Sequence, residues 1–159
     1  MIRLQPVQAE EKQRLFNINQ KYLYEMTQYY ADPLDAEGNL HYGHFDAYFT
    51  DPLRKAYFIY HDDTMVGFAM VHPYSVLGQT PDYTLAEFTI FPTFRRQGFA
   101  LAAARLILDT YPGRWEIKYN EKNTGAKALW TLVTAPYQPI VHHLNEVETV
   151  FSFSTRTGN

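Results

Sequence analysis

The 159-residue chain contains no cysteine. Disulfides, thiolate nucleophiles and cysteine-ligated zinc are therefore excluded as organising chemistry. No apolar run approaches the ~20 residues that a membrane-spanning helix needs, and "MIRLQPVQAEEKQ" lacks the apolar core of a signal peptide. Positive charge is scarce: 14 Lys and Arg stand against 17 Asp and Glu, a formal net charge of −3. No global basic field is available for nucleic acid or an anionic membrane, so any anion must be held by local design. The phosphate signatures G-x-x-x-x-G-K-[ST] and G-x-G-x-x-G are also missing. The expectation is a cytoplasmic protein that acts without nucleic acid or membrane.

What is present fits a globular fold. Apolar residues make up 46% of the chain and charged residues 19%, and a chain of this size buries roughly 70% of its unfolded surface without staples. One domain over residues 1–159 is expected. The 13 tyrosines suit a semi-polar pocket as well as ordinary packing, because each has an apolar body and a polar tip.

Along the chain, "IRLQPV" reads as a first strand and residues 9–30 as a helix, with Leu15, Ile18, Tyr22, Leu23 and Met26 at helical spacing. "HFDAYFT" suggests a short helix stopped before Pro52. Two β-rich runs, 56–60 and 66–71, flank "HDDT" and predict an antiparallel hairpin. "YTLAEFTIF" is a third run, ended by Pro92. A helix from Gly98 to Thr110, the strand "RWEIKYN", the helix "NTGAKALWTLV" and a last strand "TVFSFST" follow, with one or two strands after that second helix. This order predicts an α/β class mixed sheet with helices on both faces.

The junction "TIFPTFRRQGFALAAARLIL" carries the chemistry. The first N–H groups of a helix have no intrahelical partners and carry partial positive charge. Gly98 leaves the backbone open to an approaching diphosphate, Ala100 keeps the next position small, and Arg95 and Arg96 can add charge-assisted bonds. The competing reading is an ordinary helix start beside a solvated turn.

The stretch "EFTIFPTFRRQGFALAAARLIL", then "GRWEIKYN", then "NTGAKALW" resembles the GNAT superfamily of N-acetyltransferases. The motif Q/R-x-x-G-x-G/A is met by Arg95, Gly98 and Ala100. The family's N-x-x-A-x-x-L-Y is met by Asn123, Ala126 and Leu129, with Trp130 where the tyrosine would stand. The likeness spans residues 86–130, and "PGRWE" is similar to a bacterial branch of predicted acetyltransferases. The resemblance implies splayed strands with acetyl-CoA in the opening. The strand segment Phe88, Thr89 and Ile90 would lie along the pantetheine arm, paired through backbone groups of Phe88 and Ile90. Arg95 and the turn Arg96, Gln97, Gly98, Phe99, Ala100 and Leu101 would hold the pyrophosphate. Asn123 would bond the cofactor near its pantetheine end, and Trp130 would lie beside it. The Ile90 N–H would steady the charge that develops on the carbonyl oxygen.

Acetyl transfer to an amine needs a base and a route for the leaving thiolate. Glu87 is the carboxylate within the strand motif, and desolvation there would raise its pKa as a base needs; a paired structural carboxylate, or a bound water as base, are the alternatives. Trp130 has no useful acidity and also reads as a packing residue. Tyr137 is the first substitute for the acid and Tyr119 the second, and departure of an unprotonated thiolate is the third route. "HYGH" and His142–His143 do not complete a metal-ligand set, so no metal is expected. The acceptor, an amine of a small molecule or peptide, is expected against residues 22–45, where Glu25, Asp32, Asp35 and Glu37 would suit a cation. Monomer and homodimer remain open. The rival from another class is a non-catalytic acyl-CoA-binding or regulatory module; a mononucleotide-binding α/β protein is disfavoured by the hairpin and the missing glycine fingerprint.

Overall fold

The hairpin around "HDDT" forms the centre of the architecture. In the computed structural model, which describes residues 1–156, β2 (Lys55–His61) and β3 (Thr64–His72) turn at Asp62 and Asp63. Asp62 takes the left-handed region with φ 53°, which a short polar side chain tolerates. β1 (Ile2–Pro6) pairs antiparallel with β2, and β4 (Tyr83–Ile90) antiparallel with β3. β5 (Arg114–Asn120) runs parallel to β4, while β7 (Glu148–Ser154) and β6 (Ile140–His143) complete a seven-stranded sheet in the order β1-β2-β3-β4-β5-β7-β6.

Helices cover both faces, as the order of elements predicts. α2 (Phe99–Thr110) and α3 (Thr124–Thr134) pack on one face over Ile59, Leu85, Trp115, Ile117 and Phe151. α1 (Lys12–Met26) and a 3-10 turn at Asp46–Phe49 cover the other through Leu15, Phe45, Phe58, Phe68 and Met70. α1 is shorter than the expected 9–30: after Met26 the chain turns, and Thr27 Oγ1 donates to the Tyr24 carbonyl at 2.6 Å. Side-chain capture of a free carbonyl in the last turn competes with continued helix.

Two features of the sheet prepare a site. β4 and β5 pair only from Tyr83–Leu85 to Trp115–Ile117, and then separate, whereas β5 stays paired with β7 along its whole length. The loop after β3 is pinned beneath the sheet by the buried Glu116 carboxylate, which accepts from Ser75 Oγ at 2.5 Å and Val76 N at 2.7 Å.

Candidate functional site

Where β4 leaves β5, its register against β3 also shifts. Met70 pairs with Glu87 but Val71 pairs with Leu85, so Ala86 is an extra residue, a β-bulge. Because side chains alternate with period two, one inserted residue exchanges the faces of everything beyond it. Leu85, Phe88 and Ile90 consequently share the α2/α3 face, while Glu87 emerges on the α1 face opposite Met70. Without the bulge Glu87 would follow Leu85 onto the α2/α3 face.

Beyond the bulge β4 has one free backbone edge. Phe91 N–H donates to Val66 of β3 at 2.8 Å, so by alternation the N–H and C=O of Ile90 and Phe88 point away from β3, into the gap left by β5. The Ile90 carbonyl is taken by Arg95 Nε at 2.8 Å; its N–H remains available.

At the head of α2, Arg96 and Gly98 both adopt left-handed backbone, φ 64° and 82°. Six successive N–H groups, Arg96 to Leu101, have no acceptor among the described residues, and the first N–H of this turn to find one is Ala102, bonded to Gly98 O at 3.2 Å. Left-handed residues that aim successive N–H groups inward form a concave anion site, here joined to the positive end of a helix. At Gly98 a Cβ would meet nothing within 4 Å. The glycine is therefore required by its φ, not by lack of room in the protein itself.

A cavity of about 800 Å³ joins these parts. Its walls include Arg96, Gly98, Phe99, Ala100 and Leu101 at the helix head, Phe88, Thr89 and Ile90 on β4, and Asn123 and Trp130 of the α3 segment. On the α1 side it reaches Glu87, Tyr22, Tyr42, His72 and Val76. Gln97 is exposed and contributes no wall.

Four placements depart from the sequence reading. The Arg95 side chain lines the cavity but does not offer its charge to an anion: it forms a fork with Glu25, Nη1 to Oε2 at 2.6 Å and Nη2 to Oε1 at 2.7 Å, besides its bond to Ile90. Asn123 spends its Oδ1 on capping α3, accepting from Ala126 N at 3.1 Å, which leaves only its amide NH2 for the cavity. Tyr137 stacks on Phe153 with ring centroids 5.7 Å apart and lies outside the cavity walls; the aromatic stack turns it into the core. Tyr119 does line the cavity, yet its hydroxyl donates to Glu121 at 3.2 Å, and burial raises its pKa, with the Glu121 charge adding to the rise. Trp130 is 5% exposed and packs edge-on against Phe88 at 5.2 Å, which is the packing role.

Glu87 has the electrostatics of a poised acid or base. Removal from water pushes its carboxyl up to about 7, against the opposing pull of the Tyr42 hydroxyl and the Lys118 cation. The helix and loop expected to face an acceptor do line the cavity, through Tyr22, Met26, Tyr29, Tyr30, Leu40 and Tyr42. The bulge and the Arg95–Glu25 fork are the elements sequence reasoning missed; neither alanine in a strand nor a pair 70 residues apart has a local signature.

Residues 13–132 match the model of the acetyltransferase (GNAT) family. None of the curated proteins matches the chain in sequence. Among solved structures, an acetyltransferase from Thermus thermophilus superposes with a TM-score of 0.69 at 16% identity, over 97% of each chain. The spermidine N-acetyltransferase from Vibrio cholerae, in complex with CoA and spermine, gives 0.68 at 12% identity over 97% of this chain and 95% of its own. The ribosomal-protein-S18-alanine N-acetyltransferase from Escherichia coli gives 0.62 at 13% identity over 100% and 97%.

Proposed function

Because the chain belongs to the acetyltransferase (GNAT) family, we propose that it is an acetyl-CoA-dependent N-acetyltransferase acting in the cytoplasm on an amine of a small molecule or peptide. The observation that carries this reading is one cavity running from the free N–H groups at the head of α2, past the open edge of β4, to Glu87. A pyrophosphate fits the first, and an extended arm with two amides fits the second, since a freed strand edge offers both N–H and C=O. Asn123 NH2 is available beside that arm, and Trp130 and Phe88 form an apolar wall against it.

Acetyl-CoA supplies an acetyl group activated as a thioester. The chain's residues do the rest. Glu87 takes a proton from the incoming ammonium and so frees the nitrogen lone pair; a carboxyl titrating at about 7 accepts that proton at neutral pH and returns it to solvent. The Ile90 N–H donates to the thioester carbonyl oxygen as negative charge builds there during C–N bond formation. When the C–S bond breaks, the electron pair leaves on sulfur, and one of the two protons on the acylated nitrogen goes to the thiolate or to water, the other staying on the amide product. No phenol is used as acid: a thiol of pKa ~8.5 leaves readily as its anion, and Tyr119, the phenol that β5 contributes to the cavity, has a raised pKa and a committed hydroxyl.

Trp130 in the place of the family tyrosine favours one second reading, a non-catalytic acyl-CoA-binding module. Calorimetry with acetyl-CoA, followed by free-thiol release with a panel of amines, separates the two. The transferase reading expects binding and amine-dependent thiol release; binding with no release under any amine supports the module.

A further inference from the structure

The bulge that turns Glu87 lies on β4, so the side chains of β3 alternate without interruption. Ala69 and Val71 join the α2/α3 core, while Phe68 and Met70 join the α1 core. His72, two residues past Met70, therefore emerges on the α1 face, where Glu87 stands opposite Met70. Glu87 and His72 are diagonal neighbours on adjacent strands, about 7–8 Å apart, and both line the cavity.

The His72 ring is fixed in orientation and in protonation. Its Nδ1 accepts from the Tyr74 N–H at 3.1 Å. Tyr74 is itself anchored: Thr84 Oγ1 donates to its carbonyl at 2.8 Å, and its hydroxyl donates to Asp51 at 2.5 Å. A proton on Nδ1 would point at the Tyr74 N–H, so the neutral ring carries its proton on Nε2. Burial, then the Arg54 cation, holds the ring down at about 4 against weaker upward pulls, which leaves it neutral at pH 7. Nε2 has no partner among the described residues, yet it is not one of the buried atoms left without one. It is open to the cavity that the ring lines. The wall beside Glu87 thus presents an uncharged N–H donor.

Resting on the transferase reading, we propose that His72 selects the acceptor: its Nε2–H bonds a neutral carbonyl on the carbon that bears the reacting amine, as in an α-amino amide or a peptide N-terminus. Across N–Cα–C=O the nitrogen and the oxygen lie roughly 3 Å apart. With a hydrogen bond of about 3 Å at each end, such a unit bridges two side chains set about 7–8 Å apart, its amine on Glu87 and its oxygen on His72. An amine several carbons from its nearest carbonyl overshoots that span. A free carboxylate would meet a donor without charge in a cavity that also holds Glu87 and Asp32, and like charges at close quarters disfavour it.

The test compares 2-phenylethylamine with L-phenylalaninamide, which differ only in the carboxamide on the amine-bearing carbon. L-Phenylalanine replaces that group by a carboxylate, and the tripeptide amide Phe-Ala-Ala extends it. Two readouts are taken on the intact protein: kcat/KM from free-thiol release with acetyl-CoA, and affinity of each amine for the complex with CoA, which needs no turnover. The amide or the peptide, whichever binds better and so names the source, is expected to exceed both 2-phenylethylamine and phenylalanine by about fivefold or more. The amines differ in basicity, so the deciding quantity is the change in this ratio between parent and variants, from which basicity cancels. His72→Phe, which keeps the ring and loses the donor, is expected to lower the ratio by about fivefold or more. His72→Gln, whose amide NH2 stands at a similar reach, is expected to retain most of it. No preference in the parent, an unchanged ratio in His72→Phe, an equal loss in His72→Gln or phenylalanine binding best overturns the proposal, and amine-dependent thiol release in those samples leaves the transferase reading standing. Selective, His72-dependent binding without thiol release supports the proposal and removes the transferase reading. Absence of both binding and turnover for every amine overturns both.

Discussion

Arg95 and Glu25 lie 70 residues apart in the chain and meet in a two-pronged fork of 2.6 and 2.7 Å, while Arg95 Nε holds the carbonyl of Ile90 at 2.8 Å. One guanidinium therefore ties the last full turn of α1, at the acceptor side, to the strand residue whose N–H faces the gap. A planar five-donor fork serves both partners at once, and lysine cannot.

This predicts a positioning role, not a phosphate contact. Arg95→Lys and Glu25→Gln should each lower kcat by roughly tenfold while changing CoA affinity by less than about threefold. The pair is partly exposed, with side chains 40% and 24% accessible, so the stability loss should stay near ~1 kcal/mol. A collapse of CoA affinity in Arg95→Lys with kcat intact would return the residue to the pyrophosphate.

Gly98 carries a backbone requirement. Gly98→Ala should cost about 1–2 kcal/mol for left-handed backbone, and Gly98→Asn less, because asparagine tolerates that region. Both should weaken CoA binding by calorimetry, since strain relief rotates the N–H groups of the turn. A Gly98→Ala protein with unchanged melting temperature and affinity would contradict the account.

Glu87 sets a pH dependence with a definite sign. Its carboxyl is raised from 4.5 to about 7, so between those values the folded protein holds a proton that the unfolded chain has lost, and stability falls as pH rises through that window. Above the window the buried charge costs at most about 3 kcal/mol. Glu87→Gln should therefore melt higher than the parent at about pH 8 and no higher at about pH 4. In the opposite direction, kcat/KM of the parent should climb as pH rises through about 7, and Glu87→Gln should lose about 10²–10⁴-fold together with that inflection. Retention of both rate and inflection would assign the base to a bound water.

Tyr137→Phe should leave turnover and CoA affinity unchanged, because Tyr137 packs on Phe153 away from the cavity. Tyr119→Phe should change turnover by less than about threefold if the thiolate departs unprotonated. A drop of about a hundredfold or more in either variant would restore a phenol acid.

Asn123→Ala should remove the α3 cap and about 1 kcal/mol of stability. A CoA affinity loss beyond that expected from the cap, measured at a temperature where the variant is fully folded, would report the amide NH2 as a cofactor contact.

How much of this was legible depends on the range of the interaction. The helix head at Gly98 could be read locally, because orphan N–H groups and a residue free to take positive φ are properties of the sequence around it. The hairpin was legible for the same reason. The face of Glu87 was not: strict alternation from Leu85 sends it to the α2/α3 face, and the bulge at Ala86 that reverses this leaves no mark in an alanine. The charge of Arg95 was visible but its partner was not, since Glu25 reaches it only through the packing of α1 on the sheet. Tyr137 lies outside the cavity walls because it stacks on Phe153, on the last strand, a contact its local sequence does not announce. β6, four residues long, is too short for periodicity to define.

The proposed activity of the cavity is transfer of an acetyl group from acetyl-CoA to an amine. Mass spectrometry of a primary-amine panel after incubation with isotope-labelled acetyl-CoA, with free thiol counted in the same samples, reads that transfer directly. Labelled N-acetyl product is expected in equal amount to released thiol, and both are expected to fall about 10²–10⁴-fold in Glu87→Gln. Saturable CoA binding with no labelled amine from any member of the panel would contradict it.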